Sequence, residues 1–371
     1  MNPSTSIGTD KSSSAALAFR AEHIGSLLRP PELVDAMARH LEGKIGADEL
    51  RTVQERAIDL VVRMQEDLGY RALTDGEYRR ESYLKTFLEN GFGIDYAKST
   101  ISLKVDKPVR WKAPVHVKDF SYVKPRTQAT PKITLLGPCR VHWQAGRNNI
   151  SKSVYPDIEQ FWDDLIEATR SEIRALGEAG CTYIQIDDTA FAKFGDQATR
   201  EQLAARGEDW RLLIPKYIEV MNRVVADPPK GMTIALHMCR GNSMAHPPGH
   251  KRAEGGYEVV AEQLFNELEV NIFFLEYDTE RAGDFSPLKF LPKHKGVVLG
   301  LVSTKTAQLE SEESLRRRID EAATYVDLER LALSPQCGFS SQFRGHPLTM
   351  DEQHAKLARI AQVALKVWGA T

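Results

Sequence analysis

Cysteine is scarce in this chain: Cys139, Cys181, Cys239 and Cys337 are the only four in 371 residues. So few thiols over such a length do not make a disulfide scaffold. They point to a reducing, cytoplasmic setting in which thiols remain available as metal ligands. Long apolar runs are missing as well. None approaches the roughly 18 residues that a membrane span needs, so no membrane association is expected. Neither sign of charge is in excess, with Lys and Arg totalling 49 against 51 Asp and Glu, a formal net charge of −2. A balanced chain leaves no electrostatic footprint for nucleic acid. A small-molecule site is the better expectation. The first residues are polar and rich in Ser and Thr, without the apolar stretch of a secretory signal. Residues 1–18 read as a disordered tail.

What is present is a hydrophobic fraction of 42%, enough for a large core. It is distributed as short apolar runs: His23–Ser26, Tyr70–Asp75, Lys132–Gly137, Thr182–Asp188, Met232–Met238, Asn271–Glu276, Gly296–Leu301 and Arg330–Ser334. Most show little alternation, as strands buried on both faces do. Helical patterns lie between them. Over 157–180, Asp157 can cap the start, and Ile158, Phe161, Trp162, Leu165, Ile166, Ile173 and Leu176 recur at helical spacing. Thr349-x-x-Glu352 is a capping-box pattern opening a last helix to about 367. Other helices fit 46–68, 200–226, 257–268 and 310–325. Eight strands alternating with helices predict an α/β fold, a (β/α)8 TIM barrel spanning 19–371 as one domain. A doubly wound sheet competes, but no Gly-rich dinucleotide fingerprint follows the first strand. A long insert after the second strand, 78–131, is expected to cover the barrel mouth as a lid or ribbon.

In such a barrel the C-terminal ends of the strands converge on one mouth. The predicted ends are His23-Ile24-Gly25-Ser26, Thr74-Asp75-Gly76-Glu77, Gly137-Pro138, Asp187-Asp188, His237-Met238-Cys239-Arg240-Gly241-Asn242, Glu276-Tyr277-Asp278, Ser303-Thr304-Lys305 and Gln336-Cys337-Gly338. His237 and Cys239 are two apart, so a strand points both to one side. Imidazole and thiolate together suit Zn2+, a borderline-soft ion. Two ligands do not complete a tetrahedron, and Cys337 and Glu276 are the candidates from neighbouring strand ends. Successive strand residues face opposite ways, so one of Asp187 and Asp188 should enter the mouth, and Asp187 is the choice. Asp75 and Glu77 share a face. Carboxylates beside a metal suit an ammonium group. Cys139 and Cys181 read as core thiols, and His142, His246, His250 and His294 as surface histidines. Arg240, Asn242, Tyr277, Arg281 and Lys305 either bind a second substrate or order the residues around the metal, as do His23 and Asp188.

These motifs together resemble the catalytic barrel of cobalamin-independent methionine synthase, and its short single-domain relatives, over about residues 19–369. His237-Met-Cys239, Glu276 and Cys337 resemble that family's zinc ligands. Ile184-Gln-Ile-Asp187 and Gly76-Glu77 resemble the segments that hold the homocysteine ammonium group, and Ile24-Gly-Ser26 the loop that binds its carboxylate and backbone. Phe19-Arg20-x-x-His23-Ile-Gly-Ser26-Leu-Leu-Arg29-Pro30 resembles the start of the short members. The resemblance implies zinc-dependent methyl transfer to a small thiol, homocysteine giving methionine, from an alkyl donor. Two features depart from the family. The full-length synthase carries a second barrel that helps to hold folate, and a histidine near the end of strand seven acts there as proton donor, where Ser303 or Thr304 falls in this chain. The donor is therefore open, and Ser303 is the expected catalytic residue at that end, beside Asp187. Thiol addition to an epoxide, or a zinc-binding accessory role alongside a methyl-donor partner protein, are the alternatives. Pairing of two copies through the insert is also expected.

Overall fold

The computed structural model describes residues 16–95, 103–241, 253–341 and 347–371. Six parallel strands form a continuous sheet in chain order: β3 (Ile133–Leu136), β4 (Tyr183–Asp187), β5 (Thr233–Met238), β6 (Ile272–Glu276), β7 (Gly296–Val302) and β8 (Leu331–Pro335). β1 (Ala72–Leu73) pairs in parallel with β2 (Thr130–Pro131). Lys132 N then donates to Leu73 O at 2.7 Å, so β2 runs straight on into β3 as one barrel stave. The first stave is the segment 20–26. It lies parallel to β8 through an Ala21–Leu333 bridge. Its seam with β1 consists of Leu27 N to Gly76 O at 3.1 Å and Thr74 Oγ1 to Gly25 O at 2.7 Å. Eight staves in sequence order give the (β/α)8 architecture that the strand–helix alternation predicts. The first two form shorter ladders than expected, because Gly25 and Gly76 take positive φ there and the chain leaves the strand conformation early.

Burial explains why the strands lack polar alternation. Ala72, Tyr183, Ala235, Phe274, Val298 and Ala332 fill the barrel interior. Their neighbours Ile184, Ile186, Leu236, Phe273, Leu275 and Leu333 pack outward in the larger core shared with the helices. Both faces are thus apolar. The period of two carries the inward series upward: Tyr183, Gln185, Asp187 on β4 and Ala235, His237, Cys239 on and after β5. Low in the barrel the series includes a buried ion pair, Lys132 Nζ to Glu22 Oε2 at 2.8 Å, with Tyr183 Oη donating to Glu22 Oε1 at 2.7 Å.

Helices occupy the outside. Asp157 accepts the Glu159 N–H at 3.0 Å to start the helix Ile158–Glu178. The predicted capping box of Thr349 and Glu352 opens the helix Met350–Trp368. The helix expected over 200–226 is two, Gln197–Ala205 and Trp210–Val225. Gly207 at φ 83° breaks the path and Asp209 caps the second. No helix among the described residues is long and apolar enough to cross a membrane.

The insert departs from expectation. Its start reaches the rim, where Tyr83 N donates to Ser341 O at 3.4 Å. Among the described residues, the stretch 109–123 is anchored to the barrel flank, with Val115, His116 and Asp119 walling one side of the space next to Asp75 and Glu77. Glu172, fully buried on Ile158–Glu178, holds it there, accepting from Trp111 Nε1 at 2.9 Å and from the backbone of Val115 and His116 at 3.0 and 2.9 Å. Phe87, Phe92, Val109, Phe120 and Val123 are buried beneath it. These apolar residues are spread among Lys and Pro, so the sequence reads as an irregular surface where the structure has a packed wall.

Candidate metal centre at the barrel mouth

β5 ends in His237-Met238 and is followed directly by Cys239, so His237 and Cys239 share the inward face. Cys337 comes two residues after β8. Curvature of the sheet brings these ends together: Cys239 Sγ lies 3.4 Å from Cys337 Sγ. One ligand atom from each of His237, Cys239 and Cys337 falls within 4.8 Å of the others, and all three residues are buried. His237 is a register partner of Asp187 on β4. Its Nδ1 lies 3.0 Å from Asp187 Oδ1. That leaves Nε2, buried and without a geometric hydrogen bond among the described residues, as the nitrogen that faces the two sulfurs. Asp187 is itself fixed, since Gln185 Nε2 donates to its Oδ1 at 2.7 Å and to Ile24 O at 2.6 Å.

The electrostatics follow from this crowding. The Cys337 thiol donates to Cys239 and holds its ionisation well below the ordinary thiol value, and His237 adds to the effect. The same contact pushes Cys337 well above that value, with burial and the Glu276 charge adding to it. Burial opposes protonation of His237, but Cys239 and Asp187 outweigh it and raise its pKa. Free of metal, the cluster therefore stores protons that a cation would displace.

Glu276, at the end of β6, is fully buried but stands outside that three-residue group among the described residues. Its Oε2 accepts the Arg240 N–H at 2.8 Å. Its Oε1 takes an ion pair from Arg281 and another from Lys305 Nζ at 3.2 Å. Lys305 Nζ also reaches Asp278 Oδ2 at 2.9 Å. Arg240 sends its guanidinium away from the mouth, to Gly255 O at 2.8 Å and over the Tyr257 ring. Arg240, Arg281 and Lys305 thus order the carboxylate.

Beside the cluster is a second group of polar side chains. Glu77 sits at φ 60°, a left-handed conformation that costs a non-glycine residue on the order of 1–3 kcal/mol, and Asp75 Oδ1 accepts its N–H at 2.8 Å. Its carboxylate touches Thr134 and Arg80. Gly25 makes room for it: a Cβ there would strike the Glu77 carboxylate and the Thr134 methyl. Burial raises the Glu77 pKa, Arg80 opposes this, and the Asp187 charge raises it further, so the two carboxylates share one field. Ser26 lies above, its Oγ accepting the Ser340 N–H at 3.3 Å and its carbonyl the Phe339 N–H at 2.8 Å.

The remaining predicted residues have structural partners. His23 faces the wall, its Nε2 2.8 Å from Gln65 Oε1, and burial pushes its pKa down to about 3. Asp188 turns away from the mouth to accept the Arg140 and Ala190 N–H groups at 3.2 and 3.3 Å. Gly137 permits this, because a Cβ there would collide with Asp188. Ser303 Oγ accepts the Lys305 N–H at 3.3 Å, and its own N–H goes to Glu310 Oε1 at 2.8 Å. Asn242, His246 and His250 lie outside the described residues. Cys139 and Cys181 are buried, donating to Tyr217 O at 3.6 Å and Tyr183 O at 3.4 Å. His142 is not on the surface: it is buried in the helix Pro138–Ala145 with Nδ1 2.9 Å from Tyr217 Oη. Sequence reasoning missed two parts of the site. It assigned Asp187 to substrate binding and catalysis, and did not see that register also gives it His237. It passed over Gln185, although i, i+2 spacing from Asp187 signals a shared face.

Residues 19–364 match the family model described as the catalytic domain of the cobalamin-independent synthase. An uncharacterized Bacillus subtilis protein, YxjH, is 35% identical over 94% of this chain and 95% of its own length. A methionine synthase of Pyrococcus abyssi is 26% identical, covering 85% of this chain and 84% of its own. A Listeria monocytogenes crystal structure, described as a candidate vitamin-B12-independent methionine synthase, superposes with a TM-score of 0.78 at 32% identity, covering 96% of this chain and 99% of that one.

Proposed function

The chain belongs to the cobalamin-independent methionine synthase family, and from that membership we propose that it is a zinc-dependent methyltransferase alkylating a small thiol, homocysteine, to give methionine. The observation that carries the reading is the buried His237–Cys239–Cys337 cluster with His237 Nε2 facing the two sulfurs. One nitrogen and two sulfurs fit Zn2+ better than a hard cation, which prefers oxygen. When bound, zinc would hold the substrate thiol as a thiolate at neutral pH, where a free thiol of pKa about 8.5 is mostly protonated.

The chain's own residues supply the rest. Asp187 orients His237 and fixes which nitrogen faces the sulfurs. Glu276 is proposed as the fourth, exchangeable ligand. Arg281, Lys305 and the Arg240 N–H already draw on its charge, which would make it the weakest donor of the set and the one most easily given up to a substrate sulfur. Glu77 and Asp187 supply paired negative charge for the substrate ammonium group, and that pairing supports an amino-acid thiol over one without an amine. Ile24 and Ser26 bind the amino acid's carboxylate and backbone. Ser303, with Lys305 beside it, is proposed to meet the donor at the end of β7.

The reading is tested by metal analysis and turnover together. The purified chain should hold one zinc, and Cys239→Ser and Cys337→Ser should each lose it while remaining folded. With homocysteine and a panel of methyl donors, the wild type should form methionine and both variants none. Full metal content in both variants would contradict the assignment.

A further inference from the structure

Glu276 lies next to the sulfur cluster but is turned away from it. Met238 pairs with Leu275 across the β5–β6 register, so Cys239 and Glu276 are the next residues at adjoining strand ends. The Glu276 backbone is fixed: its N–H donates to Tyr257 Oη at 2.8 Å, and it is a register partner of Gly300 on β7. Its carboxylate engages Arg281, Lys305 and the Arg240 N–H. Lys305 is shared. Its Nζ lies between two carboxylates, 3.2 Å from Glu276 Oε1 and 2.9 Å from Asp278 Oδ2. The Asp278 side chain is closed off from solvent, and its Oδ1 is buried with no hydrogen-bond partner among the described residues. Lys305 is the one cation paired with Asp278 among those residues. Arg281 differs: besides Glu276 it reaches only a carbonyl there, Ala253 O at 3.3 Å.

A buried cation that loses its one counter-charge is costly, so a carboxylate paired alone with Lys305 would be held there. Two carboxylates on one ammonium change this. When Glu276 turns toward a metal, Asp278 keeps Lys305 paired, and its idle Oδ1 can take the ammonium hydrogen that Glu276 gives up. When Glu276 is displaced, the same ammonium receives it. We propose that Asp278 and Lys305 form a counter-charge pair that lets Glu276 alternate between the metal and the protein wall. Asp278 favours the metal-bound position of Glu276, and Lys305 favours the released one. Both are positioning residues, since neither belongs to the His237–Cys239–Cys337 group. The proposal rests on Glu276 as the exchangeable ligand of the proposed function, and it names what sets the exchange.

The test uses Asp278→Asn and Lys305→Met, which keep side-chain size and should shift binding in opposite directions. Zinc affinity of the full chain is read by competition with a chelator, and homocysteine binding by calorimetry on the zinc-loaded protein. In Asp278→Asn, Lys305 has only Glu276 to pair with and draws it off the metal. Zinc should bind about tenfold or more weakly, with homocysteine affinity retained. In Lys305→Met the released position loses its ammonium. Zinc affinity should hold or rise, and homocysteine should bind about tenfold or more weakly. The oxygen neighbour should then persist in zinc K-edge absorption at a thiol concentration that removes it from the wild type. Lys305→Arg should restore homocysteine binding. A merely structural pair would weaken zinc binding in both single variants alike. That result, or no change in either, overturns the proposal. A wild type that binds no zinc brings down the proposed function as well. A wild type that exchanges oxygen for sulfur while the two variants move together removes this pair alone and leaves the proposed function standing.

Discussion

Asp187 Oδ1 lies 3.0 Å from His237 Nδ1, and the two residues are register partners on adjacent strands, so the contact is built into the sheet. It makes the imidazole present Nε2 to the sulfurs of Cys239 and Cys337. Partners of this kind typically contribute 10–100-fold to metal affinity. Asp187→Ala should therefore weaken zinc binding by about that factor, read by competition with a chelator. Asp187→Asn keeps an acceptor for Nδ1 and should retain more of the affinity. Both should raise the KM for homocysteine, because the ammonium loses a carboxylate.

Gly25 is a second control point, and it separates amino-acid binding from metal binding. With φ at 137° and the Glu77 carboxylate against its α-carbon, any side chain displaces Glu77. Gly25→Ala should leave zinc content unchanged and raise the homocysteine KM about tenfold or more, the loss expected for one charge-assisted contact. Metal content measured alongside steady-state kinetics checks it.

The barrel interior offers a test of stability. Lys132 and Glu22 are both buried, and removing one leaves the other without its counter-charge. Lys132→Met should destabilise by about 3–5 kcal/mol in urea denaturation, and the double variant Lys132→Met, Glu22→Gln should recover much of that.

Glu172 ties the insert to the flank, and its chemistry gives a pH dependence. Burial opposes its ionisation, but the His116 and Trp111 hydrogen bonds prevail and hold the carboxyl below its ordinary value of 4.5. A depressed carboxyl contributes stability that is fully present above its unfolded pKa and is lost as pH falls through the lower folded value. Wild-type Tm should thus fall with acid below about pH 4.5, the unfolded carboxyl range. Glu172→Gln should start lower at pH 7, show a shallower acid slope, and be cut faster within the insert by limited proteolysis.

How much of this is legible in the sequence depends on the range of the interaction. Local signals are faithful: Asp157 and the Thr349–Glu352 box cap the helices they predict. The strand ends place His237, Cys239 and Cys337 on one rim because a parallel barrel leaves few alternatives. Side-chain partners across the sheet are less visible. Nothing local says that Asp187 faces His237, since that depends on β4–β5 register, or that Arg281 and Lys305 engage Glu276, since those contacts depend on how two loops fold back. The flank position of the insert is hidden for a related reason: its anchor, Glu172, lies on another element and contacts mostly backbone. The break at Gly207 is local, yet a lone glycine in a helical pattern also fits an unbroken helix.

Zinc K-edge absorption of the zinc-loaded protein, before and after homocysteine, tests the central claim most directly. The account predicts two sulfur neighbours with nitrogen and oxygen at rest, and three sulfurs with loss of the oxygen once the thiol is added. A sulfur count that stays at two with homocysteine saturating, or a resting site without sulfur, would contradict it.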